Sequence, residues 1–355
     1  MTSKSLYYKV ALAATLLALI VVVLGAYVRL SHAGLGCPDW PGCYGHIGAP
    51  EAEHHVQRAN EAYPDRPVEA AKAWKEMIHR YVAGTLGLFI LWLAITAWRR
   101  RAEPGQPVAL PSFLVLLVIF QALLGMWTVT LLLYPAVVTS HLIFGFSTLA
   151  LLWWLSSRGL GLYGEGAAAG DGWLRPFAAF GLLLVVAQII LGGWTSSNYA
   201  ALACPDFPTC QSAWWPEMNF QEGFSVLHKV GLDYEGGLLD GPARTAIHMA
   251  HRMGALVVFL LVIDIAVLTL IKAATPVARR IAVLIVLLLL VQVGLGITNV
   301  LAGLPLAVAA AHNGVGALLL LSLVSLNLAL VPRRSGHLAA GKIQSESLSS
   351  GRALE

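Results

Sequence analysis

The chain has 355 residues, of which 57% are hydrophobic and 12% charged, with a formal net charge of +4. A soluble domain carries roughly twice that charged share, so the composition excludes an ordinary soluble enzyme and leaves no room for a separate soluble domain. The small positive balance reads as anchoring at an anionic leaflet, not as a nucleic-acid footprint.

Apolar runs recur at about 9–30, 74–98, 110–132, 136–156, 175–197, 244–271, 279–302 and 305–331. Runs of roughly 20 residues are enough helix to cross about 30 Å of hydrocarbon. The first run ends at Arg29 and lacks a convincing small-residue cleavage site before it, so it reads as a span and not as a signal peptide. A loop at about 31–73 follows and opens with Cys37-Pro-Asp-Trp-Pro-Gly-Cys43. The second run opens with Glu76-x-x-His79-Arg80, the third carries Gln121 and the fourth carries His141. After a glycine-rich linker and the fifth run comes a second loop, about 198–243, rich in acidic residues. It opens with Cys204-Pro-Asp-Phe-Pro-Thr-Cys210. The sixth run holds His248, His251 and Arg252, the seventh Gln292 and the eighth His312.

The cysteine motif, the His-Arg pair, the glutamine and the later histidine all return after roughly 170 residues, which is the signature of two related halves. The expected architecture is an all-α integral membrane protein of eight transmembrane helices, built as two pseudo-symmetric four-helix bundles. The expected divisions are an N-terminal half at 9–157, a cytoplasmic linker at 158–174, a C-terminal half at 175–331 and a disordered cytoplasmic tail at 332–355. Lys4, Lys9, Arg99, Arg100, Arg101, Arg158, Arg175, Lys272, Arg279, Arg280, Arg333 and Arg334 fall on one side of such a topology. That side is therefore cytoplasmic, with both termini inside. The cysteine loops lie outside the cytoplasmic membrane, where thiols are oxidised.

In each motif two prolines stiffen the interval between the cysteines and can hold the sulfurs close. Disulfides Cys37–Cys43 and Cys204–Cys210 are expected, as loop staples or as a redox pair; four-cysteine zinc binding lacks the usual ligand spacing. His79, His141, His251 and His312 each lie a few residues inside the outer end of a span, at one depth. Ionisable groups there face the bundle interior and are functional by default. Two matched pairs suit haem better than zinc or copper, because histidines on facing helices can ligate iron from both sides of a porphyrin. Nearby glycines, among them Gly84, Gly87, Gly125, Gly254 and Gly296, give a flat ring room or serve ordinary helix packing. Arg29, Arg80 and Arg252 are candidate partners of haem propionates; the alternative is snorkelling to the interface.

Glu76 precedes His79 by one turn and shares its face. The corresponding residue of the second half is His248. A carboxylate beside one site can exchange protons with a reacting group, which places chemistry in the first half. Its alternative role is an ion pair with Arg80. His248, one turn before His251, is a possible competing ligand. His32, His46, His54, His55, His228 and His337 read as solvated histidines, and Trp40, Trp214 and Trp215 as interface anchors.

With Gly-Ala-Tyr-Val-Arg-Leu at 25–30 leading into the first cysteine motif, these features resemble the haem A synthase family, in its bacterial type with both outer-loop cysteine pairs. The resemblance covers about 9–331. It implies an oxidoreductase that converts haem O to haem A by successive hydroxylation of a porphyrin methyl to a formyl group, with haem A destined for cytochrome c oxidase. It implies His79 and His141 as ligands of haem O, Glu76 as catalytic, His251 and His312 as ligands of a haem b, and both cysteine pairs as disulfides. The partners it implies are the lipid bilayer, a haem O synthase, cytochrome c oxidase assembly and an electron donor. A dihaem b-type electron carrier linking quinol to an outer acceptor is the competing expectation.

Overall fold

The computed structural model describes residues 3–163, 171–227 and 229–331. The tail at 332–355, His228, His337 and the centre of the glycine-rich linker lie outside the described residues. The α-helices are α1 (Ser3–Leu30), α2 (Glu53–Ala62), α3 (Ala70–Arg99), α4 (Ala109–Thr130), α5 (Pro135–Gly159), α6 (Arg175–Ser197), α7 (Phe220–Gly223), α8 (Gly241–Lys272), α9 (Pro276–Leu301) and α10 (Leu306–Ala329). All but α2 and α7 are long and apolar enough to cross a membrane. The molecule is a multi-pass membrane protein.

Helix starts follow local chemistry. Proline occupies the first turn of α5, α6, α8 and α9, where its missing N–H costs nothing. Asp240 caps α8 by accepting from Ala243 N–H at 2.8 Å. Hydropathy alone places the starts of α3 and α8 later than the structure does, because it registers only the apolar stretch. The opening turns of α3 carry Lys72 and Lys75, and the first cysteine loop packs on this end of the helix as the second packs on α8.

α1 packs on α3 and α5, and α4 packs on the same two, closing one ring of four helices. α6 packs on α8 and α10, and α9 packs on those two, closing a second. The rings meet along α1–α10 and α5–α6. Small residues permit close approach without a water-driven hydrophobic force. A Cβ on Gly193 would lie 3.3 Å from Thr139 Cγ2 across the α5–α6 seam. Thr139 and Ser197 share a hydrogen bond of 3.0 Å at the same place.

Side chains brace the two rings at both ends. Arg66 of the first loop pairs with Asp233 at 2.5 Å and Glu235 at 3.2 Å in the second loop. Arg29 on α1 donates to Ser196 O at 2.9 Å. At the opposite end Trp153 Nε1 and Tyr163 Oη both reach Ser325 Oγ, at 2.8 and 2.9 Å. Asp171 is buried there and accepts from Ala274 N–H at 2.8 Å.

Candidate functional site

The site is duplicated, one copy per ring, and lies at the end that carries the cysteine loops. Each ring contributes two histidines, from α3 and α5 in the first and from α8 and α10 in the second. Every one of the four imidazoles sits over a glycine of a neighbouring helix. A Cβ on Gly25 of α1 would stand 3.0 Å from His79 Cε1, and one on Gly125 of α4 would stand 3.5 Å from His141 Cε1. In the second ring the same construction gives 3.2 Å from Gly192 of α6 to His251 Cε1 and 3.2 Å from Gly296 of α9 to His312 Cε1. Gly125 and Gly296 stand among the glycines that the sequence marks as room for a flat ring; Gly25 figures only within the 25–30 motif, and Gly192 not at all. Their signal was available: they are counterparts in the repeat, each on the first helix of its half.

Nδ1 of His79, His141 and His312 is buried without a hydrogen-bond partner among the described residues. His251 Nδ1 meets Gln188 Nε2 at 3.0 Å. Gln121 Nε2 donates to His141 O at 3.0 Å, and its counterpart Gln292 approaches His312 Nε2 at 3.3 Å. Unpartnered buried polar atoms are uncommon in folded proteins and call for a partner. Among the described residues no group of three or more His, Cys, Asp or Glu converges on a point. Paired imidazoles over glycine floors, three of the four with Nδ1 unpartnered, fit a flat macrocycle held from two sides. Gly84, Gly87 and Gly294 face open space and do not decide the matter.

Above each pair sits a disulfide loop, Cys37–Cys43 over the first and Cys204–Cys210 over the second. The loops share one design. Asp39 accepts from Tyr44 N–H at 2.6 Å and Gly45 N–H at 2.7 Å, and Asp206 accepts from Gln211 N–H at 2.6 Å and Ser212 N–H at 3.0 Å. These bonds hold tight turns in which Tyr44, Gly45, Gln211 and Ser212 all have positive φ. Donation from the Thr209 hydroxyl, reinforced by those backbone N–H groups, holds the Asp206 carboxyl below its ordinary range. Neither aspartate was assigned from the sequence, although both recur in the motif.

Glu76 and His248 occupy equivalent places. Glu76 is 5% exposed; Cys37 N–H donates to its Oε2 at 3.0 Å and Arg80 Nη2 to its Oε1 at 2.5 Å. His248 is 4% exposed; Cys204 N–H donates to its Nδ1 at 3.2 Å, and Arg252 Nε lies 3.3 Å from its Nε2. The expected ion pair of Glu76 with Arg80 is present. His248 has its ring nitrogens turned to loop and arginine, while its neighbour His251 lies over Gly192. Arg80 also donates to the carbonyls of Asp39, Pro41 and Gly42, and Arg252 to those of Cys204, Asp206 and Thr209. Arg29 lies over the Tyr199 ring, 4.1 Å from its centroid.

The remaining loop histidines are not all plainly solvated. His46 and His54 crowd His55 with tilted rings, centroids 4.6 and 4.1 Å away, and loss of solvation together with repulsion from the neighbouring charges lowers the His55 pKa. His32 stacks on Tyr199 at 5.9 Å. Trp214 and Trp215 are the most exposed of the loop tryptophans, at 73% and 70%.

A family model described as cytochrome oxidase assembly protein (COX15-CtaA) matches residues 8–324. The chain belongs to this family. Relatives named haem A synthase include one from Shewanella oneidensis, 46% identical over 311 residues that cover 87% of this chain and 92% of the relative. Another, from Halalkalibacterium halodurans, is 30% identical over 308 residues, covering 82% and 86%. A third, from Rhizorhabdus wittichii, is 26% identical over 324 residues, covering 86% and 88%. The family match spans both rings, both disulfide loops and all four paired histidines.

Proposed function

We propose that the protein is a haem A synthase, an oxidoreductase that converts the methyl group of haem O to the formyl group of haem A. Membership of the family and 46% identity along most of a curated haem A synthase support this reading. The division of labour between the rings rests on one observation: Glu76 stands beside the first histidine pair, whereas His248 fills its place beside the second.

In this reading His79 and His141 hold haem O, and His251 and His312 hold a haem b. The iron supplies the redox chemistry when the haem is bound. The chain's own residues do the rest. Gly25 and Gly125 leave the space that the imidazoles of the first pair occupy against the neighbouring helices, and Glu76 accepts or delivers protons at its carboxylate oxygens. Arg29 lies at the cysteine-loop end, where propionates emerging toward the surface would meet it. The disulfides favour an oxidising compartment for that end. Arg99, Arg100, Arg101, Arg158, Arg175, Lys272, Arg279 and Arg280 cluster at the other, so the cysteine loops face outward from the cytoplasmic membrane. Haem O arrives from a haem O synthase; the methyl carbon gives up four electrons to dioxygen over two hydroxylations, an electron donor reduces the second oxygen atom to water each time, and the product serves cytochrome c oxidase assembly.

The test is chemical. Membranes containing the protein, supplied with haem O, should yield haem A on pigment extraction. If haem b binds normally and haem A never forms, the protein is a dihaem electron carrier instead.

A further inference from the structure

Arg80 and Arg252 were expected at haem propionates, yet their guanidinium groups are spent elsewhere. Each fans out over three backbone carbonyls of its own disulfide loop, and each also meets the side chain four residues before it. A planar guanidinium with five N–H donors suits a ring of carbonyls, whereas an ammonium cannot span one. The same side chain four residues back accepts from the first cysteine's amide, Cys37 N–H in one ring and Cys204 N–H in the other. A closed circuit results: helix, arginine, loop carbonyls, cysteine amide, residue 76 or 248, and back to the helix.

The geometry points to Arg80 and Arg252 as positioning residues: each pins its disulfide loop to the histidine-bearing helix, and thereby Arg80 fixes the Glu76 carboxylate over the first histidine pair. The circuit is tighter in the first ring. A carboxylate accepts from the cysteine amide and the arginine together. A neutral imidazole has one lone pair to offer, so His248 satisfies one of its two facing donors at a time. The first ring also closes with opposite charges, Glu76 against Arg80, largely shielded from solvent. Charge-assisted hydrogen bonds are about twice as strong as neutral ones.

The catalytic consequence rests on the proposed role of Glu76; the structural circuit does not. The test is therefore amide hydrogen exchange of the full-length purified protein, compared with steady-state conversion of haem O. Arg80→Gln should speed exchange in the 37–45 segment by roughly tenfold or more, the factor expected when charge-assisted bonds that hold a local structure closed are lost. The 204–212 segment should be unchanged and reports that the chain remains folded. Arg252→Gln should do the converse. Arg80→Lys, which keeps the charge and loses the fork, should resemble Arg80→Gln in exchange. Conversion by Arg80→Gln should fall in kcat with KM within about threefold, because the carboxylate is displaced while substrate binding persists. Unchanged exchange with a raised KM, or with loss of bound haem, would overturn the inference and return Arg80 to the propionates. Faster exchange with normal kcat would leave the loop circuit standing and remove Glu76 from the chemistry.

Discussion

The two rings share their helix contact pattern and their loop design, and they part at the residue one turn before the first histidine. In the first ring Glu76 takes two donors at once; in the second His248 faces the same two with one lone pair to give. The surrounding apparatus is the same: a glycine under each imidazole, an aspartate holding the loop turn, and an arginine over the loop carbonyls. The same histidine-and-glycine scaffold thus stands in both rings, while a buried carboxylate stands in one copy only. The lesson is that the binding framework and the reactive group are separable, and that the comparison of rings isolates the second from the first.

The strongest way to break the comparison is at that residue. Glu76→Gln retains an acceptor for Cys37 N–H and removes the carboxylate. Conversion of haem O should drop by about a hundredfold or more, the usual scale for losing a general acid or base, with pigment still bound. His248→Ala should cost far less conversion and leave the haem b spectrum intact, since the proposed assignment gives that iron to His251. Equal losses from both substitutions, read from extracted pigments and the absorption spectrum, would mean that the two positions serve only the fold.

A second test sharpens the symmetry. Gly25→Ala puts a methyl 3.0 Å from the His79 ring, and Gly192→Ala puts one 3.2 Å from the His251 ring. Overpacking of this kind costs about 1–3 kcal/mol, so haem affinity should fall roughly five- to a hundredfold in the altered ring and stay normal in the other. Haem titration of each variant measures it. Loss from both rings alike would show that the glycines serve packing between helices and not the imidazoles.

The smallest expected effect is on the second loop at low pH. The Asp206 carboxyl is held below its ordinary value of 3.8, chiefly by the Thr209 hydroxyl. A depressed carboxyl contributes stability above its unfolded pKa and loses it as pH falls through the folded value. Exchange in the 204–212 segment should therefore be flat with pH above about 4, after correction for intrinsic rates, and rise below it. Asp206→Asn should bring the faster exchange to neutral pH. A variant as protected as the parent would remove Asp206 from the turn.

Much of this was legible in the sequence because membrane chemistry is restrictive. Long apolar runs fixed the eight spans, and the repeat fixed which histidines belong together. The ends of α3 and α8 were misplaced because polar residues outside the hydrocarbon still continue a helix when loops pack on it. The helices α2 and α7 gave no apolar signal. The roles of Asp39, Asp206 and the two arginines depend on which carbonyls and amides a folded loop turns inward, and no linear spacing reports that. Gly25 and Gly192 lay in the repeat, yet their meaning appears only once a histidine from another helix is seen above each.

The most direct measurement is the addition of haem O to the purified protein, with and without His141→Ala and His251→Ala. The account predicts a low-spin spectrum of paired imidazole ligation that His141→Ala abolishes for haem O while leaving haem b in place, and that His251→Ala affects the other way round. Haem O binding that survives His141→Ala, or that disappears only with His251→Ala, would contradict it.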